Sequence, residues 1–239
     1  MGASIPAAQT AEMIRDMGGE AAICAGSVTE DGFAQRFVDT GVNAFGGLDI
    51  IVNNAGYTWD NVVQKMTDEQ WHAIIDVHLT APFQILRAAA PVIRDKARAE
   101  ADAGQEGFRK VVNISSIAGT GGNAGQINYS AAKAGIIGLT RAMAKEWGRY
   151  KVNVNAVAFG PIRTRLTEGS AKGDSTIKVE GKDIRVGVSP DLLSQMETSI
   201  PLGRVGTPEE AAGAVYLFCA PESNFISGQY VICGGGFVI

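Results

Sequence analysis

KVVNISSIAGTGGNAGQINYSAAKAGIIGLTRAMAKEWGRYKVNVN, running from Lys110 to Asn155, decides how this chain folds. Its opening, Lys110 to Ile114, sets apolar and β-branched residues side by side and stops at Ser115-Ser116, which predicts a short buried strand. A Gly-rich loop follows. From about Asn128 to Tyr150, the residues Ala132, Ile136, Leu139, Met143 and Trp147 recur at helical spacing, so Tyr129 and Lys133 share one face of a helix. Strand end, loop and helix thus bring a hydroxyl, a phenol and an amine towards one place. A phenol titrating at about pH 10 is a poor acid or base near neutrality, but an ammonium one helical turn away favours the phenolate and lowers that pKa. In this arrangement Lys133 tunes Tyr129, Ser116 holds a carbonyl oxygen, and Tyr129 gives or takes the proton, which is general acid-base catalysis without a metal.

Outward from this stretch the same pattern repeats. Leu48 to Val52 is apolar at nearly every position, as in a strand covered on both faces of a parallel sheet, and Asn53-Asn54-Ala55-Gly56 ends it. Val152 to Ala158 and Tyr230 to Cys233 read as further strands, and Ala21 to Ala25 as a short one. Helices are expected over Ile5 to Met17, stopped by Gly18-Gly19, and over Phe33 to Phe45, stopped by Gly46-Gly47, the latter capped from the Ser27 to Thr29 loop. Thr67 and Gln70 form a capping box for a long helix reaching Ile93, in which Pro82 imposes a bend. The segment from Pro91 to Arg109 mixes charges and reads as an exposed helix extension with a surface loop. Thr176 to Val186 alternates about a Gly turn, a hairpin signal, with a helix expected over Pro190 to Thr198. Thr207-Pro208-Glu209-Glu210 is a helix start, with acidic residues that complement the dipole of a helix running to Phe218.

With 239 residues the chain suits one α/β domain, and a net charge of −4 with interspersed signs offers no basic patch for nucleic acid. No apolar run approaches bilayer length, so no membrane partner is expected, and the opening Met1 to Pro6 has neither a basic nor an apolar leader pattern. A cytoplasmic location is the expectation. Cys24, Cys219 and Cys233 form no paired or metal-binding spacing and read as small apolar fillers.

Ser116, the Tyr129-Ser-Ala-Ala-Lys133 run thirteen residues on, and Asn53-Asn54-Ala55-Gly56 upstream together resemble the short-chain dehydrogenase/reductase family, most like its 3-oxoacyl-(acyl carrier protein) reductase branch, over roughly Gly19 to Gly236. The resemblance implies a Rossmann-like doubly wound parallel sheet, one domain over 1–239 with a lid insertion at about 163–198, and use of NADP or NAD. Catalytic roles fall to Ser116, Tyr129 and Lys133, and to His78 as a proton relay where relatives carry Asn. Cofactor contacts are implied for Ser27, Asn53, Ala55, Gly56, Tyr129, Lys133, Ile162 and Thr164. The substrate would be a 3-oxoacyl thioester or similar ketone, and the assembly a homotetramer or homodimer.

Two departures stand against this pattern. Phe159-Gly160 stands where relatives have Pro-Gly, and no Thr-Gly-x-x-x-Gly-x-Gly set precedes Asn53, as though the first strand, first helix and second strand were absent. Those glycines seat a pyrophosphate on a helix N-terminus. Two arrangements follow: Ala21 to Ala25 moves in beside Leu48 to Val52 by a right-handed crossover, or the chain is a piece of a longer product. On the same grounds the rivals to an oxidoreductase acting on 3-oxoacyl thioesters are a noncatalytic, oligomer-forming relative and a dehydrogenase of another secondary alcohol.

Overall fold

Four parallel strands position everything else: β1 (Ile50–Asn53), β2 (Arg109–Ser116), β3 (Val152–Phe159) and, last in the chain, β6 (Tyr230–Cys233), in the sheet order β1-β2-β3-β6. The computed structural model describes residues 4–164, 175–179, 182–186 and 197–237. Ile50 lies opposite Lys110, Lys110 opposite Asn153, and Ser116 opposite Phe159. β2 and β3 are buried along nearly their whole length because each face of the sheet is covered. Val111, Val152 and Val154 pack with Ile85, Leu86, Ala89 and Ile93 on one face, while Val112, Ile114 and Val157 meet Phe218 on the other.

The helices are α1 (Ser4–Asp16), α2 (Phe33–Phe45), α3 (Asp68–Ile75), α4 (Ala81–Asp102), α5 (Ile117–Gly121), α6 (Ile127–Trp147) and α7 (Pro208–Cys219). Thr67 caps α3 and Thr207 caps α7, each through a capping box with Gln70 or Glu210, as the sequence predicts. Between α3 and α4 the backbone widens into a π-turn, Asp76–Thr80. Pro82 stands just beyond, in the first turn of α4, where its missing N–H cannot bond the carbonyl four residues back. The predicted hairpin is present as β4 (Ser175–Val179) and β5 (Lys182–Val186), antiparallel, with Ile177 opposite Ile184. The helix expected over Pro190 to Thr198 lies mostly outside the described residues.

Two expectations are corrected. Ala21 to Ala25 is neither a strand nor a partner of Leu48 to Val52, so β1 is an edge of the described sheet. Three alanines in five residues give little β-preference and little side chain to bury, and Ile23 is exposed. Second, α2 begins at a left-handed Gly32 with no side-chain cap, because the Ser27 and Thr29 hydroxyls bond each other at 2.7 Å. The charged segment after Pro91 is, as expected, a helix extension to Asp102 followed by a surface loop, and Arg109 beyond it, almost wholly buried, forms two bonds of 3.0 and 2.5 Å to Glu100, which holds the Glu100 carboxyl below its ordinary pKa. No described helix is long and apolar enough to cross a membrane.

Candidate active site

The end of β2, the start of α5 and the first turns of α6 meet at one point. Ser116, the last residue of β2, caps α5 by accepting the N–H of Ala118 at 3.2 Å, and its Oγ lies 3.4 Å from the Phe159 carbonyl. Its hydroxyl is also near enough to the Tyr129 phenol to favour the phenolate. Tyr129 stands in the first turn of α6, and Lys133 one turn on sets its Nζ 5.5 Å from the centre of the Tyr129 ring. The hydroxyl, phenol and amine expected from the sequence are therefore neighbours.

Their electrostatics differ from the expectation. Lys133 is buried, and its Nζ donates to the Ile114 carbonyl at 2.7 Å; burial pulls its pKa down from 10.5 to about 7. Tyr129 is pushed above 10.0, first by burial, against the Ser116 hydroxyl, which favours the phenolate, and helped by the nearby Asp60 carboxylate. The expected lowering of Tyr129 by Lys133 is thus overridden: a half-neutral lysine in a dry setting cannot outweigh the cost of burying a phenolate. The trio holds its proton on the phenol.

Several residues that spacing did not reveal keep α6 in place. Asn128 is fully buried; its amide donates to the Trp59 and Gln70 carbonyls at 3.2 and 3.0 Å and its Oδ1 accepts the Tyr129 N–H at 2.8 Å. Ser115 Oγ donates to the Lys133 carbonyl at 2.7 Å. Gly119 lets α5 touch α6, since a Cβ there would lie 2.5 Å from the Lys133 carbonyl carbon. Asp60 accepts from Gln126 Nε2 at 2.6 Å and closes the loop over the α6 N-terminus. A polar residue adjoining Tyr129 in an otherwise apolar helix face was the available signal for Asn128.

The residues expected at a nucleotide are spread along the strand ends. Asn53 ends β1 and donates to Asn113 Oδ1 at 2.8 Å, and Asn113 donates to Thr140 Oγ1 at 2.9 Å, so the amides tie β1, β2 and α6 together. Ala55 and Gly56 follow in the loop. Ile162 is buried and bridges to Gly206, with the Arg163 N–H on the Gly206 carbonyl at 2.8 Å, while Thr164 is half-buried. Ser27 lies in the turn before α2 and accepts the Thr29 N–H. His78 sits in the π-turn with its ring edge-on to Tyr129 at 5.1 Å. No group of metal-binding side chains occurs among the described residues.

A family profile described as Enoyl-(Acyl carrier protein) reductase matches residues 2–238. A 3-oxoacyl-(acyl carrier protein) reductase of Chlamydia muridarum is 38% identical over 192 residues, 80% of this chain and 66% of that protein. The Synechocystis protein of the same name is 36% identical over 233 residues, 97% of this chain and 81% of its own length. An acetoacetyl-CoA reductase of Rhizobium meliloti is 37% identical over 206 residues, 86% of this chain and 72% of its own. Among solved structures, one described as a short-chain alcohol dehydrogenase from Sinorhizobium meliloti superposes with a TM-score of 0.80 at 27% identity, covering 96% of this chain and 81% of that one. The chain thus spans about two thirds to four fifths of the length of these relatives.

Proposed function

Because the chain belongs to the short-chain dehydrogenase/reductase family, we propose that it is an NAD(P)H-dependent ketoreductase acting on a 3-oxoacyl thioester or similar small ketone. The observation that carries this reading is the meeting of Ser116, at the end of β2, with Tyr129, in the first turn of α6, beside a buried Lys133 whose Nζ lies 5.5 Å from the centre of the phenol ring. Two hydroxyls converging on one point suit a carbonyl oxygen, which needs two donors as negative charge develops on it.

In this reading Ser116 holds the carbonyl oxygen and Tyr129 delivers its proton to that oxygen. Tyr129 is kept protonated by burial, so it begins the reduction in the form the step requires. Lys133, titrating at about 7, is able to take up or release a proton near neutrality and resupply the phenol. A bound nicotinamide dinucleotide would supply the hydride. Its nicotinamide end suits the surroundings of Tyr129, Lys133, Ile162 and Thr164, where a buried amine and a well-fixed backbone at Ile162 are available. The diphosphate end has no comparable fit: among the described residues before β1 there is no strand–glycine loop–helix unit, only α1, an irregular segment and α2. That observation favours a second reading, an oligomer-forming relative without catalysis. A dehydrogenase of another secondary alcohol would use the same residues with a different lid over about 163–198.

Self-association belongs to the proposal as well. Tyr216 and Leu217 of α7, Phe225 and Ile226, and Tyr230 to Ile232 of β6 are exposed apolar side chains on neighbouring segments, which suits a homodimer or homotetramer. Fluorescence titration of the purified chain with NADPH and with NADH tests the reading. Micromolar binding of either supports the ketoreductase, and its absence up to millimolar concentration supports the noncatalytic relative.

A further inference from the structure

The imidazole of His78 is only 5% exposed, yet it bonds through one nitrogen alone among the described residues. Nε2 lies 2.7 Å from the Tyr57 carbonyl, and a carbonyl can only accept, so the proton of the neutral ring sits on Nε2. Nδ1 is buried without a partner among the described residues. Burial first, and the neighbouring Lys133 second, lower the ring's pKa to about 3, so Nδ1 carries no proton at any ordinary pH. Gly56 supplies the seat: a Cβ on Gly56 would stand 2.0 Å from His78 Cε1 and 2.7 Å from Nδ1. The ring also packs against that of Tyr129, centre to centre at 5.1 Å and 86° from parallel.

A group in this position cannot relay protons by charging, because its cation is unstable there and its only N–H is committed to Tyr57. We propose that His78 is a positioning residue which, seated on Gly56 and fastened to the Tyr57 carbonyl, plugs the space beside Tyr129 and Lys133 with a neutral ring that excludes water from both. Gly56 is then required for the imidazole and not only for close passage of a nucleotide. The groups facing the phenol are His78 from the π-turn, Lys133 from α6, Ser116 from β2 and Asp60 from the preceding loop. A smaller amide at position 78 would admit water, restore charge to Lys133 and make the phenolate easier to form. The inference rests on Tyr129 being the acid of the proposed reduction.

Three measurements test it without cofactor or turnover. In a His72→Gln chain, which leaves one histidine, nitrogen NMR should show a neutral ring with a protonated Nε2 and a bare Nδ1 from neutrality down to pH 5. Titration near 6.5 or the opposite tautomer overturns the proposal. In an ultraviolet difference titration against Tyr129→Phe, His78→Asn should lower the Tyr129 midpoint by about one pH unit or more. An unmoved midpoint in the folded variant overturns it too. Gly56→Ala should be costly in the parent and nearly free in a His78→Ala background, while equal costs would remove the seat. Should His78→Asn not fold, the NMR measurement and His78→Gln in the same titration still decide. A chain that meets these expectations but fails to bind NADPH or NADH keeps the plug and loses the ketoreductase.

Discussion

Ser116, Tyr129 and Lys133 were legible as a trio because strand end and helix periodicity fix their relative positions. The direction of the Tyr129 shift was not, since depth of burial is a property of the packed molecule and not of a four-residue spacing. Tyr129→Phe keeps the ring and removes the transferable proton, so turnover of a 3-oxoacyl thioester should fall about 10²- to 10⁴-fold, read as kcat with the fold checked by circular dichroism. Lys133 makes a prediction that needs no substrate. Its folded pKa of about 7 lies below the ordinary 10.5, so the unfolded chain binds the extra proton over that interval. Stability from this group is therefore fully present above about pH 10.5 and lost as pH falls towards 7, by up to about 5 kcal/mol. Denaturant melts of the parent and of Lys133→Met across pH 7 to 10.5 should diverge steadily in that sense, and parallel curves would refute the shift.

Local signals located the elements where side chains report directly on backbone state: capping boxes at Thr67 and Thr207, glycine stops after α1 and α2, and β-branched residues at Val111, Val112 and Ile114 in β2 and at Val152, Val154 and Val157 in β3. They failed at Ala21 to Ala25, where apolar character without bulk imitates a strand, and at the α2 cap, where two hydroxyls chose each other over the helix. Thr67→Ala should cost about 1 kcal/mol in thermal or urea unfolding, with little effect on the trio. Gly119→Ala is the contrasting case. Its Cβ would collide with the backbone of α6 at Lys133, so a loss of about 1–3 kcal/mol should come with a displaced Tyr129 and a drop in turnover disproportionate to the stability change.

The order of the four described strands leaves β1 on one flank with Ile50 49% and Val52 42% exposed, and a sheet edge of this kind pairs readily with another chain. Val52→Lys should reduce concentration-dependent light scattering, whereas Leu217→Asp, on α7 over one face of the sheet, should lower the mass of a defined oligomer in sedimentation. The whole-molecule topology and the open flank beside Leu48 to Val52 were legible from the resemblance, but that Ala21 to Ala25 leaves the flank unfilled needed the coordinates. Lys110 points to a last consequence. Its buried ammonium is gripped by three uncharged oxygens, of Asn153, Ser223 and Asn224, at 2.9, 3.0 and 2.7 Å, and so fastens the run of chain leading into β6 to the middle of the sheet. Lys110→Met would unlatch that run, and a protease present in trace amounts should then nick the protein first between Pro221 and Gln229, well before the sheet from β1 to β3 yields.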